Sequence, residues 1–257
     1  MRREKKRDDR DFDTTQLKIN QHGKMLHRDY SAHFFRWNFV RKFIKPKDTV
    51  LDVGCGQEVP LKEILFSGPA ARCSYYVGVD LNPIRGGDKN NERNFVAIGE
   101  FNFVTQHNEL IKRGLVPEGG FSIATHFEVF EHMLPEHGAK MLKAIHKLLQ
   151  PNGTMIMSTP CYDGVRHAAN HIHEYTVDEL QKMIQKCGFD VEQRFGTFMD
   201  TRFIGKATPT LEGVDNKDIN KIKNVLSQYY DNDALSCFFA PLYADNARNN
   251  LWVCKKR

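Results

Sequence analysis

Two groups of residues in this chain are of types that do chemistry. The first is a pair of glycines, Gly54 and Gly56, set between two acids, Asp52 and Asp80. Glycine lets a backbone turn sharply and approach a ligand closely. An ionised carboxylate offers only acceptors, so Asp80 can take the hydrogens of both ribose hydroxyls. The spacing suits an adenosine-containing ligand at the carboxyl edge of a parallel sheet. The second group is Glu128, Glu131 and His132, an E-x-x-E-H run. On a helix, positions i and i+3 or i+4 share a face, so Glu128 would face Glu131 and His132 together. Two carboxylates and an imidazole suit a hard or borderline divalent metal. The competing reading has Glu131 and His132 bonding locally and shaping a loop.

The first group needs a strand, a turn and a helix. Val50, Leu51 and Val53 form a short apolar run of the kind found in a central parallel strand. Leu61, Ile64 and Leu65 have helical spacing, so the turn opens a helix whose free N–H groups face the ligand. A dinucleotide site would have glycine at a third position. Here that position is Val59, followed by Pro60, and Asp52 would repel a pyrophosphate. YYVGVDL, ending in Asp80 and Leu81, is the second strand.

TVLDVGCGQ with the trailing Asp80 resembles motif I and the following acidic position of class I S-adenosylmethionine (SAM)-dependent methyltransferases. The resemblance implies an α/β fold, a doubly wound Rossmann-like seven-stranded sheet with helices on both faces, and SAM over the first strand. Gly54 and Gly56 would then line the methionine part, and Asp80 would bind the ribose. Cys55 lies inside the loop, where a small residue fits. The family's residue after strand four falls on Phe127, and its adenine-facing amide, at the end of a third strand read over Phe101–Thr105, falls on Asn108. Arg36 could reach the SAM carboxylate as a bidentate donor. The expected cofactor set is thus Arg36, Asp52, Gly54, Cys55, Gly56, Asp80, Leu81, Asn108 and Phe127. Tyr30, Phe34, Phe35, Trp37 and Phe39 near Arg36 read as core.

Farther along, ATHFEVFEHM, LLQPNGTMIMSTPCYDG and HIHEYTVDEL follow in the order of the ubiquinone-biosynthesis O-methyltransferase branch, which the chain resembles over about Val50 to Gly196. Arg166, His167, His171 and Glu174-Tyr175-Thr176 also resemble the metal-dependent 2′-O-methyltransferases of small-RNA 3′ ends. That second likeness would place a metal on Glu128, Glu131, His132 and His171. If the acceptor is a hydroxyl, a base must take its proton; His126, Glu128, His132, His167 and His171 are candidates, with Glu128, His132 and His171 foremost. THFE stands where DNA amino-methyltransferases carry [DNS]-P-P-[YFW], which disfavours base N-methylation of DNA.

Thr176 and Glu179 have capping-box spacing, and Gly188 is a helix stop. Asn82 to Glu92 reads as a polar loop. A stretch from Thr201 to Arg248 intervenes between the sixth and seventh strands and reads as a substrate-side insertion within one methyltransferase domain spanning 14–257. Residues 1–13 read as a disordered basic tail. At 27% charged and 40% hydrophobic the composition is that of a soluble globular chain. No apolar run approaches the ~20 residues that span a bilayer, so membrane insertion is not expected. The six cysteines lack C-x-x-C spacing, which points to reduced thiols and a cytoplasmic location. The expected function is methyl transfer from SAM to an oxygen of a small molecule. A metal-dependent RNA 2′-O-methyltransferase, with nucleic acid as partner, and a non-catalytic SAM-binding subunit are the alternatives.

Overall fold

The computed structural model describes residues 28–67, 71–91, 94–164 and 168–257. The basic tail, Arg166 and His167 lie outside the described residues. The chain begins with helix α1 (Arg28–Phe43), then strand β1 (Thr49–Val53), α2 (Pro60–Phe66), β2 (Tyr75–Val79), β3 (Lys89–Asn91) and β4 (Phe95–Ile98). It continues with α3 (Phe103–Lys112), β5 (Phe121–Phe127), α4 (Pro135–Leu148), β6 (Leu149–Pro160) and α5 (Val177–Lys186). Strand β7 (Phe189–Met199), helices α6 (Asn216–Leu226) and α7 (Asn232–Phe239), and β8 (Ala247–Lys256) complete it.

These strands form one sheet in the order β3-β4-β2-β1-β5-β6-β8-β7. The five strands β4, β2, β1, β5 and β6 run parallel, while β8 is antiparallel to β6 and to β7. The reversal between β1 and β5 opens a crevice at the carboxyl ends of β1 and β2, where open α/β sheets bind ligands. Both faces of the sheet are covered, and alternation along β1 shows why. Val50 joins a core with Val40 of α1, Ile44 just after it, and Leu61 and Leu65 of α2. Leu51 and Val53 point the other way, into a core with Leu110 of α3, Leu142 and Ile145 of α4, and Ile184 of α5.

Local signals behave as their chemistry requires at α5. The Thr176 hydroxyl accepts from Glu179 N, and the Glu179 carboxylate accepts from Thr176 N at 2.9 Å. Gly188 ends the turn at φ +94°, a left-handed conformation open to glycine without steric cost.

Two expectations change. Among the described residues the sheet has eight strands, because Lys89–Asn91, inside the stretch read as a loop, pairs antiparallel with β4. The third parallel strand lies at Phe95–Ile98, and Phe101–Thr105 instead enters α3. The reason is Asn102, whose side chain accepts from Thr105 N and caps that helix. Between β7 and β8, α6 and α7 build a third core of Met199, Ile204, Ile219, Leu235, Phe239 and Tyr243. Tyr243 Oη pins that core, accepting from Gly205 N at 2.9 Å and donating to Asn216 Oδ1 at 2.7 Å. Among the described residues no helix is long and apolar enough to cross a membrane.

Candidate active site

The loop after β1 folds straight back onto β2. Gly54 N and Cys55 N both donate to Val79 O, at 2.8 and 3.1 Å. Gly54 (φ +78°) and Gly56 (φ +76°) take left-handed conformations. A Cβ on Gly54 would lie 2.3 Å from Cγ2 of Val129, so the segment after β5 occupies the space a side chain would need. Asp80 locks the loop from the other side. Its Oδ2 accepts from Gly56 N at 2.8 Å and its Oδ1 from Asn82 N at 2.8 Å. Val59, at the third loop position, is also left-handed (φ +52°) and fully buried. A β-branched residue there is strained, and Pro60 immediately starts α2.

Above this loop lies a cavity of about 380 Å³, in the range of small-molecule sites. Gly54, Cys55, Gly56, Asp52 and Asp80 line it, as does Phe127 from the end of β5. His33 and Trp37 close it from α1, their rings stacked at 5.4 Å, and Asn82 and Arg85 close it beyond β2. The glycine turn, the carboxylate at the end of β2 and the aromatic wall fit an adenosine-bearing methyl donor.

The acids have different tasks. Asp52 bridges three strands, accepting from Tyr76 Oη at 2.6 Å and from Thr125 Oγ1 at 2.8 Å. Burial raises its pKa to about 6, against the downward pull of those two hydrogen bonds. The Cys55 thiol is pushed well up by burial and then by Asp52 and Asp80, which disfavours the reactive thiolate. His33 is held well below its usual pKa by burial and then by Arg36, so it is neutral at pH 7.

The second constellation is built differently from its helical reading. Glu128 to His132 form a turn and a 3₁₀ segment, and the helix α4 starts only at Pro135. Glu128 itself is left-handed, at φ +53°, so it and Glu131 do not share a helical face. The carboxylate of Glu128 accepts from Ser158 Oγ at 2.7 Å and from Asn249 Nδ2 at 2.6 Å. Arg36 Nη1 stands 3.6 Å from it. The residues that converge are Glu131, His132 and His171, whose ligand atoms lie within 4.8 Å of one another. Glu131 is 1% exposed, and burial followed by the charge of Glu128 raises its carboxyl well above the usual range. One carboxylate and two imidazoles fit a borderline divalent metal. Glu128 stands outside this set.

The methyltransferase-domain profile matches residues 25–194, well over half of the chain. The chain belongs to that family. Solved structures agree on the fold. A SAM-dependent methyltransferase from Archaeoglobus fulgidus superposes with a TM-score of 0.55 at 16% identity, covering 90% of this chain and 95% of its own. One from Mesorhizobium loti gives 0.52 at 15%, covering 90% and 100%. The 1,6-didemethyltoxoflavin-N1-methyltransferase of Burkholderia thailandensis, solved with that ligand and S-adenosylhomocysteine, gives 0.50 at 15%, covering 93% and 81%. No curated protein sequence matches the chain.

In this methyltransferase, six of the nine expected cofactor residues line the cavity: Asp52, Gly54, Cys55, Gly56, Asp80 and Phe127. Three do not. Leu81 is passed over between Asp80 and Asn82. Asn108 is exposed on α3, where its Oδ1 accepts from Lys147 at 2.8 Å; it was misplaced with the third strand. Arg36 is buried against Glu128 and donates to Thr197 Oγ1 at 3.4 Å. His126 is enclosed in β5, with burial lowering its pKa to about 4, and does not line the cavity. His33 and Trp37 were missed. Their i, i+4 spacing was a usable signal, because it puts both on one face of α1.

Proposed function

We propose that this methyltransferase moves a methyl group from SAM to an oxygen of a small molecule, with a divalent metal held by Glu131, His132 and His171. The observation that carries the reading is the cluster itself: Glu131 and His132 lie on the segment after β5, whose Val129 lies against Gly54 of the cofactor loop, and His171 joins them from the segment after β6. A carboxylate–imidazole group beside a methyl donor suits an acceptor that must lose a proton.

Bound SAM supplies a methyl already activated on a sulfonium, so the protein's work is alignment and exclusion of water. His33, Trp37 and Phe127 wall the cavity with rings. Asp80 offers carboxylate oxygens to the ribose. With Nδ1 of His132 and His171 engaged and Nε2 offered to a metal, these rings would hold the ion, and the proton of an acceptor hydroxyl would pass to solvent. A metal on the cluster would supply Lewis acidity that lowers the hydroxyl's pKa.

RNA 2′-O-methylation is the second reading, and the same cluster favours it. The charge does not. Apart from the first ten and last three residues the chain has no positive excess, and RNA binding draws on clustered Lys and Arg. Binding of SAM without transfer is the third reading. Incubation with methyl-labelled SAM and pools of metabolites, RNA, DNA and protein separates them. The proposal expects label in the metabolite pool, lost with a chelator. Label in RNA favours the second reading, and SAM binding with no transfer to any pool the third.

A further inference from the structure

Each member of the Glu131, His132 and His171 group is held from behind. Glu131 Oε2 accepts from Thr159 Oγ1 at 3.1 Å. Nδ1 of His132 lies 3.1 Å from the carbonyl oxygen of Asn170. A carbonyl can only accept, so the ring hydrogen sits on Nδ1 and Nε2 keeps its lone pair. That Nε2 lies 3.7 Å from Glu131 Oε1. His171 is arranged in the same sense, with Nδ1 bonded to the carboxylate of Glu174. The Glu174 side chain is only 1% exposed, so this contact is built into the interior. The two imidazole rings meet edge to face, 5.1 Å apart. The backbone ties the two segments together, since Ile172 N and His173 N both donate to Glu131 O, at 2.7 and 3.1 Å.

We propose that Glu174 is the positioning residue of the metal site, fixing the tautomer and the ring of His171 so that its Nε2 is the donor offered beside Glu131 and His132. This rests on the metal-assisted form of the proposed function. Metal-ligating histidines characteristically give their other ring N–H to a carboxylate or a backbone carbonyl, and both partners are present here. A site of two imidazoles and one carboxylate takes zinc, cobalt, manganese or iron(II) in preference to magnesium or calcium, which favour all-oxygen sites. Glu128 stands outside the converging set, its carboxylate held by Ser158, Asn249 and Arg36.

The test uses the full chain, with Zn²⁺ followed by calorimetry and Co²⁺ by its visible absorption bands. Glu174→Ala is expected to weaken binding by about 10- to 100-fold and to change the cobalt spectrum. Glu174→Gln, whose side-chain carbonyl still accepts from Nδ1–H, is expected to recover most of the affinity. Glu174→Asp, which shortens the arm without removing the carboxylate, is a second probe less prone to unfolding, and weakened binding there supports the same role. Wild-type affinity in both Glu174→Ala and Glu174→Asp, alongside lost binding in Glu131→Ala, overturns the role of Glu174 and leaves the metal site standing. Equal metal affinity in wild type and Glu131→Ala overturns the site itself, and the role of Glu174 with it.

Discussion

Arg36 Nη1 stands 3.6 Å from Glu128 Oε1, with the two side chains 1% and 13% exposed, and this contact joins α1 to the end of β5. Arg36 and Glu128, which the sequence places with cofactor and metal, therefore hold one another. The same Arg36 reaches Thr197 of β7, and Glu128 reaches Ser158 of β6 and Asn249 of β8. Helix α1 carries His33 and Trp37 over the cofactor cavity, so this pair sets where the cavity's roof sits.

Removing one partner of a buried ion pair strands the other. Arg36→Met is expected to destabilise the fold by about 3–5 kcal/mol, with SAM affinity falling as α1 loosens. Chemical denaturation and calorimetry on the same variant check both. Unchanged stability would mean that the pair does not fasten α1.

The close approach of Val129 to Gly54 gives a steric prediction. Gly54→Ala places a Cβ 2.3 Å from Val129 Cγ2 at a residue with φ +78°. SAM affinity is expected to fall at least about 10-fold, roughly 1.4 kcal/mol. Adding Val129→Ala removes the clash but leaves the left-handed backbone, which costs about 1–2 kcal/mol for a residue with a Cβ. Recovery in the double variant is therefore partial, as calorimetry with SAM would show.

Asp80→Ala removes the acceptor for the ribose together with the lock on Gly56 N. SAM binding is expected to weaken by more than about 10-fold, or about 1.4 kcal/mol. Unchanged affinity would remove Asp80 from the site.

His126 gives a pH dependence. Its folded pKa is lowered from 6.5 to about 4 by burial. The unfolded chain therefore binds more protons between those values, and stability falls as pH drops through that window. The loss attributable to this residue reaches about 3 kcal/mol near pH 4. Asp52, raised to about 6, acts in the opposite sense: its folded form holds the proton, so its contribution is present at low pH and lost as pH rises through 6. Denaturation midpoints of wild type and His126→Leu from pH 7 to pH 4 isolate the first effect; parallel curves would contradict it.

The glycine loop and Asp80 were legible because backbone chemistry alone demands glycine at Gly54 and Gly56 and a carboxylate at a strand end. The capping box at Thr176 and the stop at Gly188 were legible for the same local reason. The third strand was not, because Phe101 and Phe103 have strand-like side chains and only the Asn102 cap marks a helix start. Glu128 was misjudged because E-x-x-E-H was given helical periodicity. Its left-handed turn is maintained by partners far away in sequence, Arg36, Ser158 and Asn249. Trp37 looked like ordinary core because nothing local distinguishes a ring facing a ligand from one facing a neighbour.

The most direct test of methyl transfer to oxygen is the fate of the methyl carbon. SAM labelled with ¹³C in its methyl group is turned over with the metabolite pool, and the product methyl is read by NMR. A methyl resonance of the oxygen-bound type is expected, and it is weaker in the Asp80→Ala reaction at limiting SAM. A nitrogen- or sulfur-bound methyl would contradict transfer to oxygen.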